Sequence, residues 1–271
     1  MNSEQEIKEM VKEKYGAIAK QSKEQNRSSC CGSGSSCGCS NVEFSIMAED
    51  YQKLPGYVPD ADLALGCGLP TEFAQIKPGN TVVDLGSGAG NDCFIARSIT
   101  GDTGQVIGID MTEEMIGKAR ANAEKLGFNN VEFRLGDIDT MPVEANTADV
   151  VVSNCVMNLV PNKKKAFAEA FRIIKSGGHF SISDIVLQGE LSDELRNEAT
   201  LYAGCISGAV QKDEYLRVIK EAGFINITIQ KDRKIDIPNE ILSKFLTGDQ
   251  LRDYRDSHIG IFSVTVYAEK P

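Results

Sequence analysis

The sequence is poor in the residues on which several functions depend. It has no Trp, an aromatic fraction of 7% and only two His, His179 and His258, among 271 residues. Few aromatic rings leave few surfaces on which nucleic-acid bases could stack. So few His also argue against a His-rich metal site and leave few candidates for a histidine general base. Any chemistry therefore has to come mainly from other residue types.

Positive charge and long apolar runs are scarce as well. The 29 Lys and Arg stand against 39 Asp and Glu, so the net charge is −10. That field repels a phosphate backbone, and a small-molecule substrate is the better expectation. No apolar run approaches the ~20 residues that span a bilayer. The charged N-terminus also lacks the apolar core of a secretory signal. We expect a monomer in the cytoplasm that binds neither nucleic acid nor a membrane.

Cysteine, by contrast, is plentiful: the chain has eight. A reducing compartment disfavours structural disulfides, which leaves metal binding, redox chemistry or core packing. Four of the eight lie in residues 28–40, a segment of only Ser, Gly and Cys: Cys30, Cys31, Cys37 and Cys39. This composition cannot build a core and predicts a flexible tether. A zinc site in the tether is a minor alternative, because the spacing differs from the C-x₂₋₄-C of structural zinc sites.

Hydrophobic periodicity predicts the order of helices and strands. Residues 4–20 have the spacing of an amphipathic helix. From residue 80 onward, apolar strands alternate with helix-length segments, which is typical of a doubly wound, mainly parallel α/β sheet. A helix is expected over Lys163–Ile174, ended by Ser176-Gly177-Gly178. The seven predicted strands are Thr81–Leu85, Val106–Ile109, Val131–Leu135, Ala148–Ser153, His179–Val186, Glu221–Gln230 and Ile259–Ala268.

The same patterns predict two domains of unequal size. Residues 1–45 contain the N-terminal helix and the Cys-rich tether, and residues 46–271 contain the α/β domain. A helical insertion at about 188–220, between strands five and six, should lie above the carboxyl ends of the strands. Ligands bind at that edge in open α/β sheets.

The best-defined motif is the Gly-rich turn in VVDLGSGAGND, between strand one and a helix. Its residues Gly86, Ser87, Gly88 and Gly90 let the backbone approach a ligand closely, and the helix N-terminus offers free N–H donors. Alone, the turn would fit NAD equally well. However, Asp84 would repel a pyrophosphate there, and it is positioned to neutralise an ammonium group.

Two further strand ends sharpen this interpretation. Asp110 follows strand two, where a carboxylate accepts hydrogen bonds from ribose hydroxyls, and Met111 can pack on adenine. Strand three ends in Gly136, Asp137 and Ile138, where a carboxylate can accept from the adenine amino group. Each Asp alone could be a solvated loop residue or a helix cap. Together they resemble the class I S-adenosylmethionine methyltransferases, from about residue 46 to the C-terminus.

Three Cys lie on segments expected to face this cleft. Cys67 is in LGCG, Cys155 follows strand four, and Cys205 is inside the insertion. A single Cys is more often a small buried hydrophobe, and Cys93 in the helix after the Gly-rich turn fits that description. Asn154, beside Cys155, is expected either to orient the cofactor or to cap the strand end, and Asn158 has the same two alternatives.

Several motifs, namely VKEKYGAIAK, LGCG, DLGSGAGNDC, VVSNCVMNLVP and YAGCISGA, resemble those of the arsenite methyltransferases over nearly the whole chain. The resemblance implies that Cys67, Cys155 and Cys205 bind trivalent arsenic as thiolates. It also implies that tether cysteines, with Cys30 and Cys31 the first candidates, take part in redox turnover with a thiol reductant of the thioredoxin or glutathione type. Soft thiolates suit a soft ion. The arsenic lone pair could then attack the sulfonium methyl without a protein base.

Two alternatives remain at this point. A class I methyltransferase could act on another small molecule, for which it would need an apolar pocket and often a base. A thiol-based arsenic or metal sensor would retain only a vestigial cofactor site, although the set of Asp84, Asp110 and Asp137 speaks against it.

Overall fold

The computed structural model describes residues 3–21, 49–191, 206 and 208–271. Its centre is a seven-stranded sheet with the order β3-β2-β1-β4-β5-β7-β6. The first five strands run parallel, and β7 is antiparallel to both β5 and β6. The predicted doubly wound, mainly parallel sheet of seven strands is therefore confirmed. The strands are β1 Thr81–Leu85, β2 Gln105–Asp110, β3 Val131–Leu135, β4 Ala148–Asn154, β5 Ile174–Gln188, β6 Ile225–Lys234 and β7 Gly260–Glu269.

Helices cover both faces of the sheet. One buried cluster packs Phe167 and Ile173 against strands such as β4, and another packs Phe94 and Met115 against the opposite face. Apolar strand residues are buried on both sides because helices cover both faces. The helices are α1 Glu4–Ala19, α2 Pro70–Phe73, α3 Asn91–Thr100, α4 Glu113–Leu126, α5 Lys163–Ile173, α6 Lys212–Glu221, α7 Asn239–Leu242 and α8 Gly248–Asp256. Single 3₁₀ turns occur at Tyr51–Lys53, Pro59–Ala61 and Met157–Leu159.

Two sequence-based boundaries were wrong. Helix α5 ends at Ile173, and Ile174 already pairs with Ala148, so Ser176-Gly177-Gly178 forms an irregularity inside β5 rather than a helix cap. Gly177 takes a φ of 77° there, and the Gly pair therefore serves the strand bulge. The predicted strand over 221–230 begins at Ile225, because Glu221 is still the last residue of α6.

The N-terminal helix packs on the α/β domain. Tyr15 and Ile18 contact the buried cluster on the α4 side of the sheet, and Lys118 Nζ donates to the Ala19 carbonyl at 3.3 Å. The tether cysteines Cys30 and Cys31 lie outside the described residues, as do residues 192–205 and 207 of the predicted insertion, which include Cys205. The end of the insertion forms α6.

Candidate active site

The Gly-rich turn joins β1 to α3 at the carboxyl edge of the sheet. The backbone N–H groups of Gly86 and Ser87 donate to the Ile109 carbonyl at 2.8 and 2.9 Å, which holds the turn against the end of β2. Gly86 has a φ of 70°, and a Cβ atom there would lie 2.3 Å from Val156 Cγ2. Only glycine fits both the left-handed backbone and this close approach. The floor of a pocket is thus built from backbone.

Buried carboxyl groups surround this floor. Asp84 is 2% exposed and accepts a hydrogen bond from Cys93 Sγ at 3.2 Å. Asp110 holds the turn through both oxygens, which accept from Gly88 N–H at 3.0 Å and Thr112 N–H at 2.9 Å. Asp92, in the first turn of α3, accepts from the Tyr51 hydroxyl at 2.9 Å.

The pKa values of these three carboxyl groups are all raised. Burial raises the pKa of Asp84 well above its ordinary value, and the charges of Asp92 and Asp110 raise it further. Burial also raises the pKa of Asp110, and it brings that of Asp92 to about 6. Among the ion pairs of the described residues, none involves these three groups. Buried anions without a cation favour a cationic ligand.

The end of β3 forms the far side of the pocket, where Asp137 faces the N-terminal helix. Lys8 Nζ lies 2.6 Å from a carboxylate oxygen of Asp137 and 2.6 Å from one of Asp139. Val11 and Tyr15 on the same helix line the pocket as well. The contribution of this helix to the pocket was not predicted from the sequence, because an amphipathic pattern indicates that a helix packs but not which surface it packs on.

The residues predicted to bind a cofactor are largely brought together. Gly90 is the exception: it lies under the turn, where a Cβ atom would meet the rings of Phe133 and Phe94 at 2.8 and 2.9 Å. Ser87 Oγ is buried without a hydrogen-bond partner in the described part of the chain, as is Asn91 Oδ1, and both residues line the pocket. Such atoms suit the polar groups of a ligand. The predicted residues that line the pocket are Asp84, Gly86, Ser87, Gly88, Asp110, Met111, Gly136, Asp137, Ile138 and Asn154.

Two thiols meet at the β4 side of the pocket. Cys67 and Cys155 are 1% and 5% exposed, and their Sγ atoms lie within 4.8 Å of each other and of a carboxylate oxygen of Asp184. Cys155 also lines the pocket. Its φ of 63° is rare for a residue with a side chain, and the Ser183 carbonyl, which accepts from its N–H at 2.8 Å, helps to hold it there. Strained conformations of this kind are concentrated at functional sites.

Asn154 fixes the loop that carries Cys67. Its Oδ1 accepts from the N–H groups of Cys67 at 3.0 Å and Gly68 at 3.3 Å, and its Nδ2 donates to the Gly68 carbonyl at 2.8 Å and to the Tyr51 hydroxyl. A Cβ atom on Gly68 would lie 2.6 Å from Ser183. The loop therefore packs directly on β5, and Asn154 joins the cofactor pocket to the thiol pair.

Three buried polar residues were not anticipated from the sequence: Tyr51, Asp92 and Asp184. Asp92 looked like an ordinary acidic residue in the first turn of a helix. Asp184 is fully buried, and burial raises its pKa to about 7. The one available signal was an acidic residue immediately before the apolar run Ile185, Val186 and Leu187 of a strand. Asn158 is buried and donates from Nδ2 to the Ile185 carbonyl at 2.6 Å, next to Asp184.

Comparison with known proteins defines the class first. Residues 76–223 match the family described as a methyltransferase domain. The fold is similar to the crystal structure of an arsenic(III) S-adenosylmethionine methyltransferase from Chlamydomonas reinhardtii, with a TM-score of 0.63 and 30% identity over 76% of this chain and 67% of that chain. The chain is therefore an S-adenosylmethionine-dependent methyltransferase of the class I fold.

Comparison with similar proteins of known name identifies the family within this class. The arsenite methyltransferase of Halobacterium salinarum is 39% identical over 98% of this chain and 67% of its own length. The human arsenite methyltransferase is 34% identical over 67% of this chain and 50% of its own length. The chain belongs to the arsenite methyltransferase family, and it spans about two thirds of the archaeal relative and half of the human one. No helix of the described residues is long and apolar enough to cross a membrane.

Proposed function

We propose that this chain transfers the methyl group of S-adenosylmethionine to trivalent arsenic held by Cys67, Cys155 and Cys205. The observation that carries the proposal is the pair of buried thiols, Cys67 and Cys155, within 4.8 Å of each other at the edge of the pocket. Soft thiolates are suitable ligands for a thiophilic ion. Cys205 is assigned from the family resemblance alone.

The cofactor is expected to lie over the Gly-rich turn. Asp84 and its buried neighbour Asp92 would offset the positive charge of the ammonium and sulfonium groups, and Ser87 Oγ would hydrogen-bond the cofactor's carboxylate. The ribose hydroxyls would approach Asp110, whose oxygens keep acceptor capacity beyond their two backbone bonds. Met111 and Ile138 would pack on the adenine ring, and Asp137 would accept from its amino group beside Lys8.

The chain's task in the transfer is positioning. A trivalent arsenic held by thiolates keeps a lone pair, and that pair attacks the methyl carbon while the sulfonium sulfur leaves as neutral S-adenosylhomocysteine. This step needs no protein base, which agrees with the scarcity of His. The two buried thiols would act as a nearly water-free pair of ligands beside the cofactor and would help to hold nucleophile and methyl group in line.

Turnover requires further groups. Methyl transfer raises arsenic formally from the trivalent to the pentavalent state. We propose that Cys67 and one or more tether cysteines, with Cys30 and Cys31 the first candidates, give two electrons to return arsenic to the trivalent state and form a disulfide. A thiol reductant of the thioredoxin or glutathione type then reduces this disulfide and restores the thiols. This chemistry suits a reducing compartment such as the cytoplasm.

The direct test is product analysis after incubation of the reduced protein with arsenite and methyl-labelled S-adenosylmethionine. We expect labelled methylated arsenic from the wild-type protein, and loss of at least 100-fold in turnover for Cys155→Ser or Cys205→Ser, because each removes one arsenic ligand. Cofactor binding should persist in both variants.

Cys93→Ser is the matched control. Cys93 is buried, its Sγ donates to Asp84, and it does not belong to the thiol pair. A serine there keeps a donor for Asp84, so arsenite turnover should stay within a few-fold of wild type. Unchanged turnover in Cys155→Ser would contradict the proposed arsenic site, and a labelled product other than an arsenical would favour a different small-molecule substrate.

A further inference from the structure

The thiol pair has a third potential donor that the proposed transfer does not use. Asp184 presents a carboxylate oxygen within 4.8 Å of both Sγ atoms, and its side chain is fully buried. It lies on β5, whereas Cys67 and Cys155 come from the loop before α2 and the end of β4. Three separate segments therefore converge on one point.

The contacts of Asp184 leave it room for a ligand. Its oxygens accept from the Tyr215 hydroxyl at 3.2 Å and from the Ile185 N–H at 3.0 Å. A carboxylate has about four acceptor positions, so at least one remains. No ion pair of the described residues involves Asp184. Lys163 lies beyond ion-pair distance, although its charge still acts on Asp184. Burying such a group is costly unless a further partner is present for part of the working cycle.

The chemistry of arsenite supplies such a partner. Arsenite enters as As(OH)₃, and each thiol that binds it forms an As–S bond while one hydroxide leaves with the thiol proton as water. Arsenic stays trivalent throughout. After Cys67 and Cys155 have bound, one As–OH group remains, and an As–OH group is a hydrogen-bond donor.

We infer that Asp184 is the oxygen member of the arsenic site and accepts a hydrogen bond from the As–OH group that remains after two thiols have bound. This inference rests on the proposed function. It assigns a substrate class to the two-thiol state: trivalent arsenicals that keep a hydroxyl. An arsenical with a carbon substituent and only two hydroxyls, such as phenylarsenous acid, has no hydroxyl left once both thiols have bound.

The test compares these two arsenicals on a full-length chain reduced to the two site thiols. Cys30, Cys31, Cys37, Cys39, Cys93 and Cys205 are replaced by Ser, and the parent chain is paired with the same chain carrying Asp184→Asn. Dissociation constants for arsenite and phenylarsenous acid are measured by equilibrium dialysis with arsenic detection, and thiol titration counts the thiols consumed.

We expect Asp184→Asn to weaken arsenite binding about tenfold, because the As–OH group then meets at best a neutral amide oxygen in place of a charged acceptor. Binding of phenylarsenous acid should change less than twofold, which also shows that the variant is folded with its thiol pair in place. Tyr215→Phe is the matched control: it removes a neighbour's hydroxyl from Asp184 but keeps the carboxylate, so arsenite affinity should not fall relative to phenylarsenous acid.

Equal weakening of both arsenicals by Asp184→Asn would overturn the inference, because Asp184 would then act only by holding the thiols in place. No weakening of either would overturn it as well. In both cases the proposed function would stand, since the parent chain still binds arsenic through two thiols. A parent chain that binds neither arsenical would overturn the inference and the proposed arsenic site together.

Discussion

At the scale of single residues, the chemistry of the pocket is determined by the carboxyl groups that line it. The charges of Asp92 and Asp110 lie close enough to Asp84 to raise its pKa, and within the described chain no Lys or Arg pairs with any of the three. A protein retains such an arrangement at a cost in stability, and a cationic ligand recovers part of that cost. S-adenosylmethionine has two positive groups, which makes the arrangement useful.

Asp84→Asn tests this interpretation at one residue. The neutral amide keeps the size of the side chain but cannot offset a positive charge, so we expect the dissociation constant for S-adenosylmethionine to rise at least tenfold. Isothermal titration calorimetry on the full-length protein measures it. Asp102→Asn serves as the control, since that side chain is 90% exposed and should leave cofactor affinity unchanged. Equal affinities in Asp84→Asn and wild type would exclude Asp84 from the cofactor site.

Whether a site residue could be predicted depended on the sequence pattern around it. Asp84 and Asp110 were found because they end buried strands beside a Gly-rich turn, a pattern that is local in the sequence. Asp92 and Asp184 were missed because an acidic residue in a helix's first turn or in a strand has an ordinary structural explanation. Their burial depends on Tyr51 and Tyr215, which come from distant parts of the chain.

At the scale of elements, helix α1 has a role that its composition does not reveal. Its Lys8 pairs with Asp137 and Asp139, and Val11 and Tyr15 line the pocket. Helices in proteins gain most of their stability from tertiary packing, so these contacts and the packing on α4 hold α1 over the pocket. We expect α1 to limit access to the adenine end of the cofactor.

Lys8→Ala should therefore raise the dissociation constant for S-adenosylmethionine by about three- to tenfold, because α1 would lose its ion pairs to the pocket rim. Hydrogen exchange over residues 4–19 should become faster in the same variant. Lys14→Ala removes an equal charge from an exposed position of the same helix and should change neither quantity. If Lys8→Ala and Lys14→Ala behaved alike, α1 would have no role in cofactor binding.

At the scale of the whole molecule, the buried acids make stability depend on pH. The pKa of Asp92 is about 6 in the folded protein against an ordinary value of 3.8. Between these two values the folded state binds more protons than the unfolded state. The contribution of Asp92 to the free energy of unfolding of the ligand-free protein therefore falls as the pH rises from about 4 to 6. The raised pKa of Asp84 acts in the same direction.

Asp92→Asn should remove part of this dependence. At pH 8 we expect the variant without cofactor to be more stable than wild type by about 1 to 2 kcal/mol, because the removed charge outweighs one weakened hydrogen bond. At pH 4.5 the gain should shrink. Thermal unfolding across this pH range measures both, and saturating S-adenosylmethionine should narrow the difference at pH 8. A variant less stable than wild type at pH 8 would contradict the assignment of a raised pKa.

The order of strands and helices followed from the sequence by itself, because periodicity, Gly turns and helix caps act between residues a few positions apart. The family motifs likewise marked the turn and the cysteines. Only the tertiary structure decided what meets at the site. Cys67, Cys155 and Asp184 converge because the sheet order places β4 beside β5 and the LGCG loop across both. Likewise, α1 reaches Asp137 because it packs on α4. Such contacts join residues up to about 130 positions apart, and no local pattern encodes them.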